Sequence, residues 1–238
     1  MNSRIGVFDS GVGGLSILSE LKKTLPHENF LYYGDSKNCP YGEKSDDDLM
    51  QITRSVVKYL KSEGCRLIVI ACNTATTRCM KKLRSEFPEL IFVGCVPAIK
   101  VACDNNFKNT LVMATPATIE SERTQELVRD NKRDAQNIYL VPCFGLADAI
   151  ENKNKKEIML ILKNIFFEYL DKNIDSVVLG CTHYPFIKEE ILSLMPNVSL
   201  LDGSKGVARE VKKQLELHGL LNESDIPGDV KVINSKKF

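Results

Sequence analysis

Short, β-rich apolar runs alternate with longer amphipathic stretches along most of this chain, and that alternation restricts the fold more than any other feature. The runs are "IGVFD" (5–9), "FLYYGD" (30–35), "RLIVIA" (66–71), "LIFVG" (90–94), "TLVMAT" (110–115), "NIYLV" (137–141), "DSVVLG" (175–180) and "VSLLD" (198–202). Helical patterning falls between them, near 14–25, 46–63, 74–86, 118–130, 155–171, 187–195 and 204–218. Near-continuous apolar strands separated by helices predict an α/β fold, a mostly parallel sheet flanked by helices on both faces. Ligands of such sheets bind beyond the carboxyl ends of the strands.

Composition sets the outer limits. The 238 residues are 43% hydrophobic and 26% charged, enough chain for one large core or two smaller ones. A formal net charge of +1 supplies no electrostatic drive toward nucleic acid or an anionic membrane. The opening "MNSRIGVFDS" lacks the basic stretch and apolar core of a secretory signal. No apolar run approaches the roughly 20 residues of a membrane span. These features predict a cytoplasmic protein without nucleic-acid or membrane partners. The eight cysteines contain no CxxC pair, and the three histidines make no zinc constellation, so no metal is expected. Cys65, Cys79, Cys95 and Cys103 read as small buried hydrophobes.

Two cysteines keep different company. "VIACNTATT" (69–77) and "VVLGCTHYPF" (177–186) each run from strand to small residue, cysteine, hydroxyl residue and helix. Their cysteines, Cys72 and Cys181, lie 109 positions apart, close to half the chain. The echo predicts two similar α/β lobes facing each other across a cleft. A thiol between a strand end and a helix start sits near free backbone N–H groups and a positive dipole end, both of which favour thiolate. Asn73 and Thr74 add donors beside Cys72; Thr182 and His183 adjoin Cys181. The bland alternatives are a buried cysteine capped by threonines and a hydrogen-bonded structural histidine.

Other strand ends contribute to the same edge. Asp9 and Ser10 close the first strand, and Asp9 suits either an N-cap or a group that orients a thiol. Gly11, Gly13 and Gly14 permit close backbone approach but form neither a P-loop nor GxGxxG. Pro40, Tyr41 and Gly42 predict a rigid turn after the second strand, and Thr115 and Thr118 bring hydroxyls after the fifth. Two thiols among neutral donors suit a small polar anion and proton transfer on both of its faces.

"GVFDSGVGGLS" (6–16), "YYGDSKNCPYG" (32–42), "IVIACNTAT" (68–76), "ATPATIES" (114–121) and "VLGCTHYPF" (178–186), in this order over residues 5–203, resemble the cofactor-independent glutamate racemases. The resemblance implies a two-base racemisation with neither pyridoxal phosphate nor metal, hence no cofactor. It implies that Cys72 deprotonates D-glutamate with help from Asp9, and that Cys181 deprotonates L-glutamate with help from His183. Ser10, Asn73, Thr74, Thr118 and Thr182 would hold the substrate's carboxylates and ammonium. Tyr41 and Gly42, with Pro40 in the same turn, would line the side-chain carboxylate end.

Glu151 aligns with a family glutamate that would serve substrate binding or pair with His183, although "CFGLADAIEN" (143–152) departs from the family's more hydrophobic, proline-containing stretch. "VGCVPAIK" (93–100) lacks an acid often found before its proline, and the chain ends at "VKVINSKKF" where relatives continue into a helix. A homodimer and a supply of D-glutamate for peptidoglycan are further implications. Some family members also bind DNA gyrase, and no N-terminal extension supports that here. The lobes are expected over 1–97 plus 204–238 and over 98–203. Alternatives are racemisation of another small acidic amino acid or a hydantoin, or a two-lobed protein that binds a small ligand without catalysis.

Overall fold

The alternation becomes strand and helix almost run for run in the computed structural model, which describes residues 4–237. The chain divides into two compact units, residues 1–95 with 204–238, and 96–203. Unit 1 begins with β1 (Arg4–Asp9), α1 (Leu15–Thr24), β2 (Asn29–Gly34), α2 (Asp46–Ser62), β3 (Leu67–Ile70), α3 (Asn73–Glu86) and β4 (Ile91–Gly94). Unit 2 follows with α4 (Ile99–Asp104), β5 (Asn109–Ala114), α5 (Pro116–Glu120), α6 (Glu122–Asn131) and β6 (Asn137–Pro142). It continues through α7 (Leu146–Glu151), α8 (Lys155–Phe167), β7 (Ser176–Leu179), α9 (Lys188–Leu194) and β8 (Ser199–Leu201). The chain then returns to unit 1 as α10 (Ser204–Leu217) and β9 (Val230–Asn234).

Strand order is β4-β3-β1-β2-β9 in unit 1 and β6-β5-β7-β8 in unit 2, with every ladder parallel. Composition follows position. β3 (LIVI) and β7 (SVVL) are buried at every residue, as strands covered on both faces must be, whereas the edge strands β6, β8 and β9 are mostly exposed or part-buried. The crossover from β1 to β2 runs one way and the crossover from β2 to β3 runs back past β1. Right-handed crossovers therefore send α1 to one face and α2 and α3 to the other. The cores agree: α1 and α10 share one apolar cluster, α2 and α3 the opposite one. In unit 2, α4, α5 and α6 cover one face, and α7, α8 and α9 the other.

Local chemistry fixes the helix limits. Ser45 caps α2, accepting the Asp48 N–H at 3.1 Å, and Asp46, Asp47 and Asp48 occupy the positive end of the helix dipole. The expected helix over 118–130 is two helices instead. Ser121 turns extended and caps α6 by accepting the Thr124 N–H at 3.2 Å, which ends α5. The expected helix over 155–171 stops at Phe167 and passes through turns to Asn173, whose φ is 48°. β9 carries lysine and polar residues on a sheet edge, so the apolar pattern that revealed the other strands is weak there. The short helices α4 and α7 also lack the repeated apolar period that marks longer ones.

Candidate active site

In each unit the connections diverge between two neighbouring strands, β1 and β3 in one and β5 and β7 in the other, and this divergence opens a crevice at their carboxyl ends. Cys72 lies two residues past β3 and Cys181 two residues past β7, so the two thiols hold equivalent positions. Both are buried, at 6% and 7% exposure.

The unit 1 half-site begins at Asp9, the last residue of β1. Its buried carboxylate accepts the Gly11 and Gly14 N–H groups at 3.1 and 3.0 Å, both on Oδ2. Asp9 is thus not the N-cap of α1, a position held by Gly14; it folds the glycine loop back onto the strand end. A Cβ at Gly14 would stand 2.7 Å from the Asp9 Cβ and 3.1 Å from the Ala71 Cβ, so only glycine lets this loop lie across the ends of β1 and β3. Ser10 is buried beside Asp9. Cys72 itself is the N-cap of α3, with extended backbone and no side-chain capping bond, which leaves its sulfur beside the helix's first amides.

The helix behind Cys72 separates the hydroxyl residues by role. Thr76 donates to the Ile70 carbonyl at 3.0 Å and accepts the Cys95 N–H at 3.1 Å, sewing α3 to the ends of β3 and β4. Asn73 and Thr74 are buried in the first turn beside Cys72. Among the described residues the buried Asn73 Oδ1 has no hydrogen-bond partner, so it is an acceptor that a ligand's N–H would satisfy.

Pro40, Tyr41 and Gly42 lie in the expected turn, a single 3₁₀ turn over Tyr41–Glu43 after β2. The Tyr41 hydroxyl donates to Asp35 Oδ2 at 2.7 Å, and Asn38 donates to both Asp35 oxygens. The Asp35 N–H in turn reaches the Asp9 carbonyl at 2.9 Å, tying this turn to β1. Burial pushes the Tyr41 phenol well above its ordinary value; the Asp35 charge adds to this, and Cys72 and Asp9 contribute further. Tyr41 therefore stays protonated and Asp35 keeps its donor.

The unit 2 half-site is a chain of three groups. Glu151, the last residue of α7, lies 2.6 Å from His183 Nε2, and His183 Nδ1 lies 3.8 Å from the Cys181 sulfur. A carboxylate at Nε2 favours the tautomer protonated there, which leaves Nδ1 as the nitrogen that faces the thiol. Gly180 makes the approach possible, because a Cβ there would meet the Met113 carbonyl at 2.8 Å. Thr182 is buried next to Cys181. Thr118 is also buried, on α5, where its hydroxyl pairs with that of the N-cap Thr115 at 2.9 Å.

Beneath this half-site lie Cys143 and Tyr184. Burial pushes the Cys143 thiol up to about 12, with Cys181 raising it further and Tyr184 lowering it. Among the described residues the buried Tyr184 hydroxyl has no partner of full hydrogen-bond geometry, and the Cys143 thiol beside it interacts weakly. Cys65, pushed up to about 11, and Cys79 and Cys103 are likewise thiols raised by burial.

The sequence-predicted residues thus gather as two sets: Asp9, Ser10, Pro40, Tyr41, Gly42, Cys72, Asn73 and Thr74 in unit 1, and Thr118, Glu151, Cys181, Thr182 and His183 in unit 2. Asp35, Cys143 and Tyr184 were not singled out as site residues. For Asp35 a signal existed, an acid at a strand's carboxyl end like Asp9. For Cys143 and Tyr184 none did, since their place depends on packing.

Residues 5–211 match the model of a family described as Asp/Glu/Hydantoin racemase. A glutamate racemase from Clostridium acetobutylicum is 40% identical over 239 residues, covering 99% of this chain and 93% of the relative. Among solved structures, a glutamate racemase from Francisella tularensis in complex with D-glutamate superposes with a TM-score of 0.85 at 30% identity, over 98% of this chain and 88% of that one. A glutamate racemase isoform from Bacillus anthracis gives a TM-score of 0.86 at 27% identity over the same shares. This chain belongs to the Asp/Glu/Hydantoin racemase family.

Proposed function

We propose that this protein is a glutamate racemase, a cofactor-independent isomerase that interconverts L- and D-glutamate and supplies D-glutamate for peptidoglycan. The observation that carries the reading is the repeated placement of a thiol two residues past an inner strand of each unit, with His183, itself 2.6 Å from Glu151, beside the second thiol. Racemisation removes the Cα proton from one face and returns a proton to the other. In the proposed reaction Cys181 takes the proton of L-glutamate as thiolate while Cys72 delivers one as thiol, and the roles reverse for D-glutamate. Asp9 assists Cys72, and His183, oriented by Glu151, assists Cys181.

The Cα proton is very weakly acidic, so donors around the forming carbanion and exclusion of water supply much of the barrier reduction. Ser10, Asn73, Thr74, Thr118 and Thr182 hold the α-carboxylate and ammonium, with Asn73 Oδ1 accepting from the ammonium. Pro40, Tyr41 and Gly42 receive the side-chain carboxylate. The protein acts in the cytoplasm as a homodimer.

The test is incubation with L-glutamate in D₂O without pyridoxal phosphate, following Cα–H exchange and optical rotation together. Exchange with loss of rotation is expected, and Cys72→Ala and Cys181→Ala should each abolish racemisation. Folded protein that neither exchanges nor racemises glutamate would overturn the reading.

A further inference from the structure

A cavity of about 780 Å³ opens in unit 1 at the amino ends of its strands, the edge of the sheet opposite Cys72. Arg4 opens β1, Glu28 immediately precedes β2 and Arg66 immediately precedes β3, and all three line it. Leu220, Asn222 and Glu223, from the loop after α10, close the other side. Small-molecule sites span roughly 300–1,000 Å³, so the size suits one. Cys72 stands six positions beyond Arg66, about 20 Å along an extended chain, which keeps this cavity apart from the thiol.

Glu28 is the anomaly in this lining. Its side chain belongs to a residue only 5% exposed, and its Oε1 accepts the Asn222 N–H at 2.6 Å. Among the described residues no lysine or arginine pairs with it. Burial holds the carboxyl above its ordinary range, and the Asn222 N–H and the exposed His27 pull it only partly back. A buried carboxylate without a cation is costly, so an ammonium entering the cavity meets a ready partner. The other charges divide into spent and free. Arg4 pairs with Asp229 at 2.7 Å, and Glu63 with Lys231 at 2.8 Å. Arg66 and Glu223 are exposed and, among the described residues, make no ion pair. Two carboxylates and one guanidinium are thus left to a ligand, together with the apolar Leu221 and the half-buried Leu220.

We infer that this cavity binds a basic α-amino acid, with one ammonium on Glu28, the carboxylate on Arg66 and the second cationic group at Glu223. The planar guanidinium matches a carboxylate through paired N–H donors, and the two leucines receive the ligand's methylene chain. A dicarboxylic amino acid would bring a second anion against Glu28 and Glu223, so the cavity is not another copy of the glutamate site. The site does not depend on the catalytic reading.

Isothermal titration calorimetry of the full chain with L-lysine is the test. Binding with a Kd of about 1 mM is expected, an ordinary efficiency for a ligand of this size. L-Norleucine, which lacks the ε-ammonium, and cadaverine, which lacks the carboxylate, should each bind ~10-fold more weakly. Glu28→Gln keeps an acceptor for the Asn222 N–H while deleting the charge, and Arg66→Ala removes the carboxylate's partner. Each should weaken L-lysine by ~10-fold with circular dichroism unchanged, whereas Glu223→Gln, at an exposed carboxylate, should cost about threefold. Arg66 is exposed, so its variant reads the site even where Glu28→Gln fails to fold. Saturating glutamate should leave the L-lysine isotherm in place. No binding up to ~50 mM L-lysine, displacement by glutamate, or an affinity indifferent to Arg66→Ala and to a folded Glu28→Gln would each overturn the inference.

Discussion

Glu151→Gln isolates the electrostatic part of the Glu151–His183–Cys181 chain, because the amide keeps the side chain's size and deletes its charge. The nearest atoms of the pair are 2.6 Å apart and His183 is buried. A carboxylate and an imidazolium with charge centres about 4 Å apart attract by about 4 kcal/mol at an effective dielectric of ~20, equivalent to about three powers of ten in imidazolium population. In the two-base reading, negative sulfur at Cys181 is matched by a proton on His183 Nδ1, so the competent thiolate falls with the imidazolium. The substituted amide would also be able to present its NH₂ to Nε2, moving the ring proton to Nδ1 and leaving that atom no capacity to accept another.

The expected loss in kcat/KM is about 10²- to 10³-fold, with little change in KM. Enantiomers have equal free energies, so the loss must be the same in both directions; polarimetry from L- and from D-glutamate supplies that internal control. Urea unfolding should show a cost of no more than about 1–2 kcal/mol, because the amide retains a hydrogen bond where truncation would strand a buried charge. Activity within about threefold of wild type would refute the role assigned to Glu151. Collapse of the urea midpoint with activity per folded molecule preserved would make the pair structural.

Gly14→Ala would place a methyl 2.7 Å from the Asp9 Cβ, so a cost of about 1–3 kcal/mol in urea and a loss of racemisation larger than the stability change explains are expected. Tyr41→Phe should cost about 1–3 kcal/mol by removing the donor at 2.7 Å from buried Asp35, whereas Tyr59→Phe, at a part-buried position of α2, should cost less. Burial raises Cys65 to about 11 and Cys143 to about 12, so both stay protonated in the folded protein above the pH, about 8.5, at which an unfolded thiol ionises. The unfolded state then binds fewer protons, so their contribution is full below about pH 8.5 and is lost as pH rises toward 11 and 12; urea midpoints should fall over that range, less steeply in Cys65→Ala. At pH 7.5, iodoacetamide should spare both of these thiols in the folded protein, as mass spectrometry of the digest will report.

The pattern of apolar runs located eight of the nine strands among the described residues, because β1, β3, β5 and β7 are buried on both faces and can hardly be other than apolar. β9 escaped because an edge strand with Lys231 and Val232 exposed has no such requirement. At the site, the repeated cysteine context was readable since both strand ends and both helix starts are local features. The threonines were not separable by sequence: Thr74 stays beside Cys72 while Thr76 is spent on the Ile70 carbonyl and the Cys95 amide, a difference decided by where β4 ends. The link between Glu151 and His183 joins residues 32 positions apart on different elements, and only the packing of α7 under the end of β7 brings them to 2.6 Å.

The strand order β4-β3-β1-β2 repeats as β8-β7-β5-β6, so one switch-point architecture occurs twice with a thiol at the same station in each copy. Proton transfer on both faces of one carbon makes each group act as base in one direction and acid in the other, and two groups of the same chemical type keep those roles interchangeable. The supports differ, however. Asp9 is fastened by the amides of its own loop, while Glu151 in the second copy pairs with His183. A chiral protein has no mirror image of itself to offer a substrate's other enantiomer, so an exact copy of the first half-site would meet that enantiomer with its donors misplaced. Equal residue type at the thiols and unequal partners around them is the arrangement such a reaction needs. Cys65 and Cys143 lie away from that station, and burial chiefly drives them up to about 11 and about 12, far from use near neutrality. Cys72 stands instead at a helix start, and Cys181 has an imidazole nitrogen 3.8 Å from its sulfur.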